Sequence, residues 1–164
     1  MGTPKFAPNS IADEGNLVRR WATYIAGIYV LTVGISLAIR AGIGISPQSA
    51  LTRTMTLVLP GVSQGTFNFA LEILMLLLAF LILPKAFGWK SLLSLVPAAI
   101  LASLLDLNLF LTEWVVLEAY PAKLALLIFA DALLAFGLFL MIKANLVLMP
   151  IDLFVDTLQK KTGR

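Results

Sequence analysis

Apolar residues run along this chain in blocks close to the roughly 20 residues that a helix needs to span a bilayer, and polar positions gather between the blocks. Four blocks reach that length, at residues 21–39, 67–83, 92–111 and 124–142. Two further segments are too short and too polar to span. The first, between Gly42 and Gly61, carries Pro47, Gln48, Ser49, Thr52, Arg53, Thr54 and Thr56; the second opens at Pro150 and carries Asp152, Asp156 and Gln159. In each, proline stands where the first helical turn accepts it, and Ser46 is placed to cap the first segment. The pattern predicts an all-α, polytopic membrane protein of about four transmembrane helices plus two short helices that are re-entrant or interfacial. Residues 1–20 read as a polar tail and 21–164 as a single transmembrane domain.

Composition strengthens the membrane reading. Hydrophobic residues make up 60% of the chain and charged residues 13%, a balance that polar surface could not cover in water. The lipid bilayer is therefore the expected partner, and unbroken apolar runs select helices over a barrel. Cysteine and histidine are both absent, which removes disulfides, thiol chemistry and the usual ligands of zinc, haem and iron–sulfur clusters. No cofactor, metal site or enzyme activity is expected: serines and acids without histidine do not make a hydrolase, and the glycines follow no nucleotide-binding pattern.

The net charge of +3 comes without the basic, aromatic-interleaved run of a nucleic-acid surface, so no nucleic acid is expected as a partner. The charges instead read as topology. With four alternating spans, Lys5, Arg19, Arg20, Lys85, Lys90, Lys143, Lys160, Lys161 and Arg164 share one side. Arg40, Arg53 and Lys123 fall elsewhere, with Glu113 and Glu118 opposite the basic side. Short cytoplasmic loops are enriched in Lys and Arg, which places the N-terminus in the cytoplasm. The first apolar block is too long for a signal core and lacks a small-residue cleavage site, so no cleaved leader is expected.

An offset of 103 residues lays the segment from Gly34 to Ala41 on that from Gly137 to Ala144. Gly34, Leu37, Ile39, Ala41 and Pro47 recur as Gly137, Leu140, Ile142, Ala144 and Pro150, and Arg40 becomes Lys143. Leucine-rich helices align easily by chance, but a glycine, a cation and a proline at fixed offsets do not. The units are about 21–111 and a partial 124–164. With three spans between their starts, the second unit is turned over, an inverted repeat of the kind on which many secondary transporters are built.

The short segments and the intramembrane charges supply the candidate site. Gln48, Ser49, Thr52, Arg53 and Thr56 make one polar stripe, and Asp152, Asp156 and Gln159 make the matching one. In one reading the short helices dip into the protein from opposite faces with positive N-terminal ends inward, and Arg40 and Lys143 draw an anion toward them. In the other they lie among headgroups with their stripes in water; Lys160 and Lys161 favour that for the second. Glu72 and Asp131 sit in apolar spans, where an ionised carboxylate is costly unless paired, protonated or wetted. They are candidate proton or cation sites, with structural pairing to Arg53 or Lys123 as the alternative. Asp106, near a helix end with Asn108, reads as a structural acid. The substrate-pathway candidates are thus Arg40, Ser46, Gln48, Ser49, Thr52, Arg53, Glu72, Asp131, Lys143, Asp152 and Asp156. Gly42 and Gly44 permit the turn after the first span, Asn145 is placed to take the left-handed conformation at the position equivalent to Gly42, and Ser63 or Thr66 to cap the second span.

The run from Arg40 to Leu51, with its Gly-Ile-Gly-Ile-Ser-Pro core, the Gly61-Val-Ser-Gln-Gly-Thr element and the later Met149-Pro-Ile-Asp-Leu element resemble the bacterial YczE/YyaS/YitT membrane proteins. The resemblance runs from about Trp21 to the end and implies a multi-pass protein of the bacterial inner membrane with five or six hydrophobic segments. It implies no substrate and no catalytic residue. Ser49 departs from the pattern, standing where many relatives place an acid. The chain stops directly after the second short segment, which reads as a truncated chain, a disordered remainder or a variant completed by dimerisation. The leading functional expectation is a small transporter or channel-like protein for a small-molecule or ion substrate, a small anion among the options, with a homo-oligomer open. The alternatives are a non-transporting membrane partner or scaffold, and the substrate-binding subunit of a larger transporter.

Overall fold

A backbone in hydrocarbon must satisfy its amides within its own segment, and each apolar block of this chain is helical over most of its described length. The computed structural model describes residues 14–82, 84, 89–146 and 149–162. Among them are the helices α1 (Glu14–Ala41), α2 (Pro47–Val58), α3 (Gln64–Ile82), α4 (Trp89–Leu92), α5 (Leu95–Leu111), α6 (Tyr120–Ala144) and α7 (Pro150–Thr162), and no strand. Three helices, α1, α3 and α6, are long and apolar enough to cross a membrane. Residues 1–13, which hold most of the expected polar tail and Lys5, lie outside the described residues, as do Lys85 and Arg164. The side chains of Lys90, Asp156, Lys160 and Lys161 lie outside them too.

Two boundaries differ from the hydropathy pattern. Helix α1 begins at Glu14 rather than Trp21, and Arg20 helps to anchor that extension by donating to the carbonyls of Ala144 and Asn145 at the end of α6. The third apolar block is broken into α4 and α5. Pro97 accounts for the break: it has no N–H to bond the carbonyl four residues back, at Leu93, and its ring crowds that carbonyl. Residues 93–94 form a turn, in which Ser94 donates its hydroxyl to Ser91 O at 2.6 Å. Helix α5 is left with 17 residues, about 25 Å at 1.5 Å per residue, somewhat under the ~30 Å hydrocarbon thickness.

The most extensive packing joins α1 to α6. Gly27, Gly34 and Ala41 on α1, and Ala130, Gly137 and Ala144 on α6, recur at every seventh position and are all buried. Small residues at that spacing let two helix backbones approach along a left-handed seam. A Cβ on Gly27 would meet the Gly137 carbonyl at 3.0 Å, and one on Gly34 the Ala130 carbonyl at 2.9 Å, so the two helices run antiparallel. The contacts are also reciprocal. Gly34 faces Leu134 while Gly137 faces Leu31, and each residue in one pair lies 103 positions from its counterpart in the other. Both helices end in left-handed turns at matching positions, Gly42 (φ 68°) and Asn145 (φ 47°).

Helix α5 lies against α1 and α3, and α3 also carries α2 and α7. Buried between α1 and α5, Asn108 donates its amide to the Thr32 hydroxyl at 2.9 Å. Asp106 serves the start of α3, accepting from Gly65 N at 2.7 Å and from the Ser63 hydroxyl at 2.5 Å. Ser63 in turn caps Thr66 N at 3.1 Å. A carboxylate at a helix N-terminus is favoured by the unpaired amides there, which gives Asp106 its structural role. Gly65 is required for the approach: a side chain there would run into the Ala102 carbonyl and the Asp106 carboxylate.

Candidate functional site

Helices α2 and α7 both begin at proline, at Pro47 and Pro150, whose fixed φ suits a first helical turn and whose missing N–H is not needed there. Ser46 caps α2 by accepting from Ser49 N at 3.3 Å, and its hydroxyl donates to Ser49 Oγ at 3.0 Å. One residue past each proline, Gln48 and Ile151 meet the same group. The amide nitrogen of Gln48 donates to Glu72 Oε1 at 3.1 Å, and the backbone N–H of Ile151 donates to Glu72 Oε2 at 3.2 Å. Glu72 projects from the middle of α3 and is only 3% exposed.

The first turns of two helices thus donate to one buried carboxylate, α7 through its backbone and α2 through a side chain. Their unpaired amides and dipoles favour negative charge, and the two neutral N–H donors suit a group whose oxygens only accept. Asp152, in the first turn of α7, stands near enough for its charge to bear on Glu72. The neighbouring residues on α3 extend the polar character. Gln64, Asn68 and Glu72 follow one another at intervals of four, the spacing that puts side chains in a row on one helix face. All three are buried. Asn68 accepts from the Gln48 amide at 3.2 Å through its Oδ1, so the two hydrogens of Gln48 Nε2 reach Asn68 and Glu72. The Nδ2 of Asn68, and both Nε2 and Oε1 of Gln64, are buried with no hydrogen-bond partner among the described residues.

Gln48, Glu72 and Asp152 are therefore the pathway candidates that the structure brings together. Ser46, Ser49 and Thr52 support them: Thr52 is buried and its hydroxyl turns to the carbonyls of Gln48 and Ser49, both at 3.2 Å. Arg53 is exposed, and neither it nor Lys123 is among the hydrogen-bond partners of Glu72. Arg40 donates to the Leu109 carbonyl near the end of α5 at 2.7 Å, and Lys143 lies over the Phe139 ring at 5.8 Å. Neither cation is among the hydrogen-bond partners of the Glu72 carboxylate, which accepts from Gln48 and Ile151. Asp131 is exposed on α6. Gln64 and Asn68 were not among the expected site residues. The signal was present as three polar residues four apart in an apolar helix, but polar residues near a helix start read first as its solvated end.

Among the described residues, no group of three or more His, Cys, Asp or Glu side chains is placed to hold a metal ion. Fold and site define an all-helical type of protein with three helices long and apolar enough to cross a membrane, in which the first turns of two short helices donate to one buried carboxylate. The chain belongs to DUF6198, a family of unknown function, whose profile matches residues 18–164. No curated protein and no solved structure matches it.

Proposed function

We propose that this chain is a small transporter or channel-like protein of the bacterial inner membrane, N-terminus in the cytoplasm, that handles a small solute at the Glu72 junction. One observation carries the reading: Gln48 and Ile151, which are 103 residues apart, donate to the two oxygens of a single buried carboxylate. The reciprocal contacts of α1 with α6 support an inverted repeat built around their seam. On that reading α2 and α7 are re-entrant, entering from opposite faces, and their N-termini meet within the protein as half-helices do at transporter binding sites. The likeness to the YczE/YyaS/YitT proteins is part of the same proposal. Because the Glu72 carboxylate already accepts from the N-terminus of α7 and from the Gln48 side chain at the start of α2, the site favours a neutral or cationic solute over an anion.

Osmotic challenge of proteoliposomes tests this. Vesicles holding the wild-type chain, the Glu72→Leu variant or no protein are mixed with hyperosmotic glycerol, acetamide, ammonium chloride or sodium acetate, and re-swelling is followed by light scattering. Faster re-swelling than empty vesicles with at least one solute, lost in Glu72→Leu, supports transport. Re-swelling equal to empty vesicles with all four counts against it.

A second reading, a membrane partner or scaffold, is favoured by Asp131. It is exposed near the midpoint of α6, whose outer face also exposes Ile128, Phe136 and Phe139. A charge facing lipid at that depth costs about 2.5–3.5 kcal/mol, so another protein, or a further copy of this one, would stabilise that face by covering Asp131.

A further inference from the structure

Gln64 and Asn68 lie one helical turn apart on α3, 97% and 94% buried by their exposures of 3% and 6%. Buried polar atoms in native proteins are nearly always paired, yet three of the four amide atoms here have no partner among the described residues. The unpaired set has a definite chemistry. Gln64 offers a whole primary-amide edge, a donor beside an acceptor, and Asn68 adds a donor. An anion needs donors only and would meet Glu72, 3.1 Å from the amide that also holds Asn68. A metal cation needs acceptors and would find one among the free atoms. The complement of an amide edge is another amide edge, which pairs through two reciprocal hydrogen bonds and leaves its carbonyl a second lone pair for Asn68. Side chains one turn apart on a helix are about 5–6 Å from each other, a span that a molecule of a few heavy atoms bridges.

We propose that Gln64 and Asn68 bind a small neutral solute carrying adjacent hydrogen-bond donor and acceptor groups, an amide or urea type of molecule, beside the Glu72 junction. This rests on the transport reading for its purpose, though the binding itself does not. Gln48 fixes the polarity of the site. With both of its amide hydrogens given to Glu72 and Asn68, it holds Asn68 by the oxygen and leaves the nitrogen turned to the solute. Of the charged groups on elements packed against α3, Asp152 on α7 bears on Glu72, Asp106 on α5 is engaged by Ser63 and Gly65, and Arg53 on α2 is exposed.

The experiment has a binding arm and a flux arm. In nanodiscs, the side-chain amide 1H–15N signals of Gln64 and Asn68, assigned through Gln64→Leu and Asn68→Asp, are followed while acetamide, sodium acetate or ammonium chloride is added. Saturable movement with acetamide alone is expected, weakened about tenfold in Asn68→Asp, the loss of roughly one hydrogen bond. Asn68→Asp keeps the side chain's shape, and circular dichroism with size-exclusion chromatography confirms that it folds. Non-saturable or absent movement with acetamide, or equal movement with acetate or ammonium, overturns the proposal. In proteoliposomes, acetamide flux unchanged by Asn68→Asp overturns it as well. Saturable acetamide binding without flux of any solute leaves the site standing and removes the transport reading instead.

Discussion

Glu72 is the residue on which the most depends. Its two oxygens take N–H groups from segments that enter the protein separately, one through a side chain and one through the backbone. Removing the carboxylate takes the acceptor from the Ile151 N–H and from one of the two Gln48 amide hydrogens, the other still donating to Asn68, and each lost partner costs up to about 1–3 kcal/mol. Glu72→Leu is therefore expected to lower the unfolding midpoint in a mixed-detergent titration markedly more than Glu72→Gln, which keeps an acceptor. Equal midpoints would show that the two bonds contribute nothing. Asn145 gives a cleaner test of a single residue because its backbone is left-handed. Asn145→Gly is expected to be neutral or mildly stabilising and Asn145→Val destabilising by about 1–2 kcal/mol, since a β-branched residue resists that conformation; thermal melts of the two proteins decide it.

Among the elements, the α1–α6 seam sets the architecture. Gly137 packs so closely that a Cβ would lie 2.7 Å from Leu31 N, so backbone rather than a flexible side chain would have to move. Gly137→Leu is expected to separate the two helices, read as a lower unfolding midpoint than that of the wild-type chain in a mixed-detergent titration. On α2, Ser46→Ala removes the hydroxyl that caps Ser49 N and is expected to cost about 1 kcal/mol, read as faster amide exchange in the first turn. How far such elements were legible depended on where their causes lie. Long apolar runs gave α1, α3 and α6 directly, and Ser46-Pro47 gave the start of α2. The break between α4 and α5 was missed because Pro97 acts four residues upstream, at Leu93, inside a run that hydropathy reads as continuous.

At the scale of the molecule, the offset of 103 residues had already paired Gln48 with Ile151, Gly42 with Asn145 and Gly34 with Gly137. It could not reveal that the first pair shares one partner, because that depends on how deep α2 and α7 reach beside α3. The same missing depth hid the partners of two cations: Arg40 and Lys143 are near the short helices in sequence but lie against the Leu109 carbonyl and the Phe139 ring in space. The proposed inverted repeat makes a prediction about sides. Single cysteines at Ser63, by the start of α3, and at Asn145, beyond the end of α6, are expected to react with a membrane-impermeant thiol reagent from opposite faces of oriented vesicles. Labelling of both from one face would sink it.

Sharing one carboxylate also links the movements of the two short helices. If α2 swings away, Glu72 keeps the Ile151 N–H; if α7 swings away, it keeps the Gln48 amide. Should both leave together, the buried Glu72 carboxyl would lose both N–H donors at once, and leaving a buried polar group without its partners is costly. Departure of one therefore raises the cost of departure of the other. On the proposed transport reading, a single side chain of this kind is an interlock, the molecular counterpart of a pair of doors that share one latch, and a leak open to both faces at once is the state it would disfavour most.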